Sequence, residues 1–484
     1  MIVAILSLLV HLINFIAIFY MIFKEKRSAN SIIAWTLILT LLPYGGFIIY
    51  LLLGRKVNKS KIFVMKKSEM EFFKKYHNYL QDDKSFSNLI DNSKPVDIIR
   101  AIERIEYSPY RSNNQVELFF DGEELFEELI ESLKKAKKTI NLQFYIFKND
   151  EIGSTILEVS KEKAMSGVEV RLLYDSVGSR SLNLKKLKPF TDAGIKVGEF
   201  FPALLKLINI NMNFRNHRKI VVIDNKVGFV GGFNVGDEYL GEDTKFGYWR
   251  DTHIKCEGLA VKDLNLRFLS DWRSATKEDI DLSCVLYTVN NVSQINTTSP
   301  SAGIQILSSG PNLNNRHEIK WSYLAMIQKA KKYVYIQSPY LIIDKSIGDS
   351  LRLASISGVD VRIMIPGKGD HPFVYWANLC YAGELANYGV KIYHYDKNAF
   401  LHSKTVVIDD EVCSIGTANM DTRSFELNFE VNSLIYSKTV AKKQREQFEK
   451  DILVSTLLTE EEYVNRSNVV KLKEGFSKLF SDLL

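Results

Sequence analysis

The first part of the chain is dominated by two long apolar runs. Residues 1–23 contain no charged side chain, and residues 31–54 are again uncharged. Each run exceeds the roughly 18 apolar residues that suggest a membrane-spanning helix. Because the charged segment 24–27 separates them, the pattern predicts a hairpin of two transmembrane helices over residues 1–56. The alternative is a hairpin buried in the core of a soluble protein.

The remainder of the chain alternates helical patterns with short β-branched runs, and it does so twice. Residues 123–138 have apolar side chains at helical spacing, and residues 139–147 follow with a strand pattern. The sequence SGVEVR at 166–171 recurs as SGVDVR at 357–362, so the second series looks like a duplicate of the first. This alternation predicts layered α/β halves with a largely parallel or mixed sheet.

These patterns divide the chain into four parts. The polar run 290–301, rich in Asn, Ser and Thr, is the expected linker between the halves. The predicted domains are a transmembrane hairpin (1–56), a basic linker and connecting segment (57–110), a first half (111–295) and a second half (296–484). Apolar residues at helical spacing near the C-terminus predict a last helix, either docked on the second half or lying on a membrane surface.

One pattern occurs in both halves, each time on a β-branched run. HRKIVVID at 217–224 recurs as HSKTVVID at 402–409, and both copies lead at the same spacing into GGFN at 231–234 and GTAN at 416–419. On a strand, a His and a Lys two residues apart point to the same face. Each copy therefore places a nucleophile or proton shuttle beside a fixed positive charge. Two copies predict one active site built by both halves and suited to an anionic phosphodiester.

Two such pairs supply what displacement at phosphorus needs. One imidazole can attack phosphorus and divide the reaction into two displacements. The other can protonate the leaving alkoxide and then accept the proton of the incoming alcohol. Lys and Asn side chains around the phosphate would stabilise charge in the transition state. No metal or cofactor is predicted, because the sequence has no Cys/His cluster, no carboxylate pair beside the motif and no Walker-type glycine loop.

Composition and charge add modest constraints. The 484 residues are 46% hydrophobic and 25% charged, which suits a globular body, and the four scattered cysteines are expected to be reduced core residues. The net charge of +6 suits an anionic partner without choosing between nucleic acid, membrane and phosphorylated metabolite.

The segment after the second apolar run is basic. It has no acid before Glu69, and its basic residues are Arg55, Lys56, Lys59, Lys61, Lys66 and Lys67. The positive-inside rule then places the catalytic body in the cytoplasm, although the basic residues at 24–27 count in the opposite direction. The stretch is either an attractor of anionic headgroups or a plain stop-transfer flank.

The doubled motif resembles that of the phospholipase D superfamily, and essentially the whole chain resembles its bacterial cardiolipin synthase branch. Further segments that look like this branch are 216–219, 231–239, 248–253 and 423–430, with Trp35, Leu42, Pro43, Gly46, Tyr50 and Gly54 in the hairpin. The resemblance implies two phospholipase D-like α/β halves related by a pseudo-two-fold, with one active site between them. It also implies phosphatidyl transfer between two phosphatidylglycerol molecules, giving cardiolipin and glycerol, in a bacterial cell membrane.

The resemblance further implies residue roles. His217 and His402 are the catalytic pair; His217 is favoured as the nucleophile and His402 as the acid/base, which the symmetry of the sequence leaves open. The expected phosphate-binding residues are Lys219, Lys404, Asn234 and Asn419. The expected supporting acids, which set the tautomer and orientation of the imidazoles, are Asp251 and Glu430.

Two further pairs of residues occupy matching positions in the halves. Asp224 and Asp409 complete the motifs and are counted with the catalytic set. The alternative for them is a structural carboxylate that caps the turn at the strand end. Tyr145 and Tyr340 are expected to pack in the core.

Other functions share parts of this pattern. A phospholipase D would pass the phosphatidyl group to water, and exclusion of water from the pocket decides between the two. A nuclease would want a basic groove with stacking aromatics and no hairpin, so nucleic acid is not an expected partner. A non-catalytic lipid-binding scaffold would not need complete His, Lys and Asn sets. The expected partners are phosphatidylglycerol and anionic membrane lipid, and the oligomeric state is left open.

Overall fold

The computed structural model describes most of the chain. The described residues are 2–25, 29–54, 95–105, 108–182, 184–202, 214–280, 301–310 and 317–479, with the single residues 67, 69, 71, 282 and 481. Most of the predicted basic segment (55–66), most of the predicted linker (290–300) and Cys284 lie outside the described residues. Cys256, Cys380 and Cys413 are buried and free, as expected of reduced core cysteines.

The N-terminal apolar runs form helices, but the second run is interrupted. Its helices are α2 (Ala29–Leu41) and α3 (Pro43–Ile49), which follow α1 (Ile2–Phe23) and precede a π-helical turn, Tyr50–Gly54. Leu42 leaves the helical conformation, and Pro43, which has no N–H to donate, takes the first turn of α3. A Cβ on Gly46 would lie 2.6 Å from the carbonyl oxygen of Ile38, so α3 can pack against α2 only with glycine there.

One helix in the described part of the chain is long and apolar enough to cross a membrane. It covers Ile5–Phe23, with a mean hydropathy of 2.4. The expected second spanning helix is not seen as one continuous helix among the described residues, because Pro43 divides the run. The side-chain amide of Asn14 donates to the Leu39 and Pro43 carbonyls at 3.1 and 2.9 Å, and so ties α1 to the second run.

The body that follows is built on two successive series of strands. The first series is β1 (Arg111–Phe119), β2 (Thr139–Phe144), β3 (Glu169–Asp175), β4 (Lys196–Phe200), β5 (Ile220–Ile223), β6 (Val227–Gly231), β7 (Trp249–Arg250) and β8 (His253–Glu257). The second is β9 (Ala302–Ser309), β10 (Tyr333–Gln337), β11 (Leu341–Ile342), β12 (Asp360–Ile365), β13 (Lys391–His394), β14 (Phe400–Leu401), β15 (Thr405–Ile408), β16 (Val412–Gly416), β17 (Met420–Asp421), β18 (Glu430–Tyr436) and β19 (Thr456–Leu457).

Fifteen of the described strands form one mixed sheet with the order β19-β13-β12-β10-β15-β16-β18-β9-β1-β8-β6-β5-β2-β3-β4, and the pairs β11–β17 and β7–β14 form two small separate sheets. In each series three strands run parallel (β2-β3-β4 and β10-β12-β13), and the motif strand pairs antiparallel with the first of them. Corresponding strands follow one another outward from the central β1–β9 pair. The prediction of a mixed α/β sheet is therefore confirmed.

Helices connect and cover these strands, and the helix predicted over residues 123–138 is present as Gly122–Lys134. The helices are α4 (Val96–Ile105), α5 (Gly122–Lys134), α6 (Glu151–Met165), α7 (Leu184–Asp192), α8 (Ala260–Thr276), α9 (Glu318–Lys329), α10 (Lys345–Ile356), α11 (Pro372–Ala386), α12 (Thr422–Glu426), α13 (Lys438–Ile452), α14 (Glu460–Val464) and α15 (Asn468–Leu479). Several begin at a side-chain cap, such as Asp121 before α5 and Asp150 before α6.

The motif strands lie between apolar cores. Side chains of β5 and β15 alternate between the core of their own half and a third core shared by both halves. Val221 packs with α5 and α6, whereas Ile220 packs in the shared core with Phe268 of α8 and Phe448 of α13. This burial on both faces fixes the strands that carry the motifs.

Candidate active site

Backbone hydrogen bonds attach each motif histidine to the opposite half. The His217 N–H donates to the Phe429 carbonyl at 2.9 Å, and the His402 N–H donates to the Arg250 carbonyl at 2.8 Å. A bridge between Asn216 and Phe429 and the β7–β14 pair extend these contacts. The two motifs therefore meet at the interface between the halves.

Each imidazole is oriented by a carboxylate from the other half. His217 Nδ1 lies 2.9 Å from Glu430 Oε2, and His402 Nδ1 lies 2.6 Å from Asp251 Oδ2. A carboxylate on Nδ1 selects the tautomer and leaves Nε2 for chemistry. The predicted supporting acids thus lie beside the histidines, and their pairing is crossed between the halves.

The two carboxylates are themselves held in place. The Thr417 hydroxyl donates to Glu430 Oε2 at 2.6 Å, and the Asn428 amide donates to Oε1 at 3.2 Å. Asp251 Oδ1 accepts from the Thr252 N–H at 2.8 Å. A side chain on Gly232 would overlap the Asp251 carboxylate, so this motif glycine is required by a close approach.

Burial sets the charge of the imidazoles and their acids. It lowers the pKa of His402 to about 4, with Lys404 adding to the shift and Asp251 opposing it. Burial likewise lowers the pKa of His217 against the opposing charge of Glu430. For the two acids burial would raise the pKa, but the cationic and hydrogen-bonding neighbours more than offset it, so both pKa values are lowered. Without substrate, the pairs are therefore neutral imidazoles beside ionised carboxylates.

The motif lysines are almost completely buried. Lys219 Nζ donates to the His217 carbonyl at 2.7 Å, and Lys404 Nζ donates to the His402 carbonyl. Desolvation lowers the pKa of Lys219 to about 7 and that of Lys404 to about 8, whereas Glu430 and Asp251 raise both. Two buried amines that lack full charge compensation favour an anionic ligand.

The two motif asparagines differ in their contacts. Asn234 Oδ1 accepts from the Ile146 N–H at 3.0 Å, and its Nδ2 donates to the Tyr239 hydroxyl at 3.1 Å. Asn419 Oδ1 is buried without a hydrogen-bond partner among the described residues. Within the described residues, the Asn234 side chain is therefore held by protein hydrogen bonds, whereas the Asn419 side chain is less constrained by the protein.

Asp224 and Asp409 do not lie with the histidines. Each follows its motif strand, at the end opposite the histidine, with φ of +53°. The Asp224 carboxylate accepts from the backbone N–H groups of 137–139 at 2.7–2.9 Å, and Asp409 does the same with 331–333. Both carboxylates therefore cap the turn that leads into β2 or β10, which is the structural alternative to the catalytic role predicted for them.

Sequence reasoning misplaced one aromatic residue of the site. Tyr145, expected in the core, is only half-buried, and its ring centroid lies 4.9 Å from that of His217. Lys219 Nζ lies 5.5 Å from the same ring centroid. Burial and Asp175 raise the pKa of Tyr145 to about 12, so the phenol remains protonated beside the imidazole. The sequence did contain one indication of this role: Tyr145 directly follows β2, at the strand end that lies near the motif.

A buried ion pair behind the first motif was also missed. Arg218, the variable residue between His217 and Lys219, forms an ion pair with Asp271 of α8 at 2.6 Å. Its Nε donates to the backbone carbonyl of Glu430 at 3.0 Å. The guanidinium therefore supports the acid that orients His217.

The second motif has an equivalent pair from a different position. Its variable residue is Ser403, and the guanidinium comes from Arg250, which forms an ion pair with Asp451 of α13 at 2.9 Å. Arg250 also donates to the backbone carbonyl of Asp251. A buried arginine thus donates to the backbone carbonyl of each supporting acid. The two arginines come from different sequence positions, so this equivalence is visible only in the folded structure.

A metal ion would need a cluster of suitable side chains. Within the described residues, no group of three or more His, Cys, Asp or Glu side chains is placed to hold one.

Comparison with known proteins gives a consistent result. The family model described as "Cardiolipin synthase, PLD-like domain" matches residues 129–246 and 323–452, and one described as "Phospholipase D-nuclease N-terminal" matches residues 12–55. A cardiolipin synthase of Staphylococcus aureus (strain Mu50 / ATCC 700699) is 48% identical over 98% of this chain and 95% of its own length. The major cardiolipin synthase ClsA of Bacillus subtilis (strain 168) is 43% identical over 99% of both chains.

A solved structure shares the fold at low sequence identity. The phosphatidylserine synthase of Haemophilus influenzae Rd KW20 is 17% identical, with a TM-score of 0.61 over 80% of this chain and 100% of that chain.

Proposed function

The chain belongs to the bacterial cardiolipin synthases of the phospholipase D superfamily and is a phosphatidyltransferase, and we propose that it joins two phosphatidylglycerol molecules into cardiolipin, releasing glycerol. The observation that carries this proposal is the crossed pair of oriented imidazoles, each beside a buried lysine. One site with two such imidazoles suits two successive displacements at one phosphorus. Transfer to water is not favoured, because the relatives matched over nearly the whole chain are named cardiolipin synthases.

In the first displacement, Nε2 of His217 attacks the phosphorus of the donor phosphatidylglycerol. A nitrogen–phosphorus bond forms, the bond from phosphorus to the headgroup oxygen breaks, and His402 gives that oxygen a proton, so glycerol leaves. His402 must be protonated for this step. An anionic phosphate beside Lys404 offsets the positive charge that helps to lower the pKa of His402, so substrate binding favours proton uptake.

In the second displacement, His402 takes the proton of a glycerol hydroxyl on the acceptor phosphatidylglycerol. The resulting oxygen attacks phosphorus and breaks the bond to His217, which regenerates the free imidazole and completes cardiolipin. Since glycerol could re-enter as the acceptor, the same steps run in reverse.

Lys219 and Lys404 bind the phosphate oxygens and stabilise the charge of the transition state. Asn419 supplies a further polar contact, because its side-chain NH2 can donate to a phosphate oxygen. Asn234 has an indirect role, because its hydrogen bonds to Ile146 and Tyr239 position the segment that carries Tyr145. Asp251 and Glu430 position the imidazoles.

The proposal extends to the arrangement of the chain in a bacterial membrane. The halves 111–295 and 296–484 are related by a pseudo-two-fold, which the matching strand orders support. The segment 1–56 crosses the membrane twice, through α1 and through the interrupted run α2–α3, and 57–110 connects it to a cytoplasmic body. Support comes from the apolar length of α1 and from the basic residues after the second run.

The test is a product assay with the purified full-length enzyme and labelled phosphatidylglycerol in detergent micelles. We expect cardiolipin and glycerol in equal amounts, with both abolished in His217→Ala. Phosphatidic acid as the main product, with little cardiolipin, would instead indicate a hydrolase.

A further inference from the structure

The C-terminal helix α15 is docked with its apolar side outward. Its buried residues are Glu474 and Ser477, whereas Leu472 and Phe476 are 74% and 54% exposed, and Val469 and Leu479 are also exposed. A helix on the surface of a soluble domain normally turns its apolar side to the core. The arrangement here is the reverse.

Polar contacts hold α15 in this orientation. Glu474 forms an ion pair with Arg466 at 2.7 Å, and Lys478 forms one with Glu384 of α11. Just beyond the helix, Ser481 shares a hydrogen bond of 3.0 Å with the Tyr381 hydroxyl. Rotating the apolar side inward would break all three contacts. These contacts therefore stabilise the orientation in which the apolar side faces outward.

The outward apolar surface continues onto α11, beside the active site. Phe373 at the start of α11 is 51% exposed, and its ring centroid lies 6.2 Å from that of Phe476. Asp370, just before α11, accepts a hydrogen bond of 2.5 Å from the Tyr340 hydroxyl, and its charge acts on Lys404. Asn378 of α11 ties this helix to the Tyr340 segment through the Leu341 N–H at 2.8 Å.

We propose that Phe373, Leu472, Phe476 and Leu479 form a membrane-docking patch, which inserts into the headgroup region of an anionic bilayer beside the mouth of the active site. Exposed Lys471 and Lys473 on the same helix complement anionic headgroups. An exposed apolar patch of this kind marks an interaction surface. This inference rests on the proposed function, because a substrate drawn from the bilayer is what gives the docking its use.

Depth-dependent quenching tests the patch without relying on catalysis. Leu472→Cys in the full-length enzyme is labelled with an environment-sensitive fluorophore and reconstituted into vesicles of phosphatidylglycerol and phosphatidylcholine. The matched control is Met165→Cys on α6, because Met165 is 72% exposed and lies in the other half. The unsubstituted protein, labelled in parallel, measures the background of the native cysteines.

Lipids with a nitroxide on the acyl chain should quench the label at 472 several-fold more than the label at 165. Equal quenching at the two positions overturns the proposal. So does disulfide cross-linking of Leu472→Cys between two copies without quenching by lipid, because the patch would then be a protein interface.

Activity supplies a second arm. Leu472→Asp combined with Phe476→Asp should lower kcat/KM for phosphatidylglycerol in vesicles about tenfold or more, since two apolar anchors are lost. With substrate in detergent micelles the loss should be less than about twofold, and Met165→Asp should change neither value. Equal loss in both media, or no loss in vesicles, contradicts the proposal. If the enzyme makes no cardiolipin in any medium, the proposed function fails while the quenching result still decides the patch.

Discussion

Glu430 of the second half accepts a hydrogen bond from Nδ1 of His217 in the first half, at 2.9 Å. Asp251 makes the reciprocal contact with His402 at 2.6 Å. Neither half alone therefore contains an imidazole with its supporting acid, although each contains a complete motif. This crossed arrangement explains why both halves are needed for one site.

Glu430→Gln should lower kcat strongly while the protein stays folded. The substitution removes the charge that favours the imidazolium of His217 and weakens control of its tautomer, which corresponds to a loss of roughly 10²–10⁴-fold. Steady-state kinetics with labelled phosphatidylglycerol measure it. The matched control is Glu426→Gln, an exposed glutamate on α12. A loss below about twofold in Glu430→Gln would remove Glu430 from the mechanism.

Substrate binding should weaken as pH rises through the lysine pKa values. Lys219 and Lys404, with pKa values of about 7 and about 8, are charged below those values and lose their protons above them. Because an anionic phosphate binds the protonated amines, KM should rise from about pH 7 to about pH 9. Lys219→Arg should reduce this rise, since guanidinium keeps its charge over the whole interval. A KM that does not change over this range in the wild type would contradict the assignment.

Asp224→Ala should reduce stability far more than it reduces chemistry. The loss of a carboxylate that accepts three backbone N–H groups, at a residue with φ of +53°, should cost about 1–3 kcal/mol. Asp224→Asn should be milder, because asparagine tolerates the left-handed conformation and keeps one accepting oxygen. Thermal denaturation, together with kcat per folded enzyme, separates the two effects. A fall in kcat of a hundredfold or more at unchanged stability would restore Asp224 to the catalytic set.

The buried ion pair of Arg218 and Asp271 should be important for both stability and activity. Arg218→Met leaves the Asp271 carboxylate buried without its cation, which should cost roughly 3–5 kcal/mol of unfolding free energy. Combining it with Asp271→Leu should recover part of this loss, as denaturant unfolding can measure. A single substitution that costs less than about 1 kcal/mol would show that the pair contributes little.

Much of this architecture can be predicted from the sequence, because the spacing of apolar residues and of the repeated motifs indicates the strands and the shared site. β-branched runs after each histidine predict β5 and β15, and the duplicated pattern predicts a site shared by the halves. Sequence could not assign the acids to their imidazoles. Asp251 is nearer to His217 along the chain, yet it contacts His402, because the β7–β14 pair carries it across the interface.

Other features depend on contacts that no periodicity reveals. Apolar length predicts a second spanning helix, but Pro43 divides it. Helical spacing predicts an apolar side on α15, whereas the ion pairs of Glu474 and Lys478 decide that this side faces outward. The motif pattern groups Asp224 with the histidines, although only the fold shows that its carboxylate caps a turn.

The most direct test of the account is to trap the covalent intermediate on His217. Wild type, His217→Ala and His402→Ala are each mixed with phosphatidylglycerol labelled in its phosphate, denatured under alkaline conditions that preserve phosphohistidine, and analysed for protein-bound label. We expect label on His402→Ala, which can still attack but cannot activate the acceptor hydroxyl, and none on His217→Ala. Label on His217→Ala and none on His402→Ala would contradict the assignment of His217 as the nucleophile.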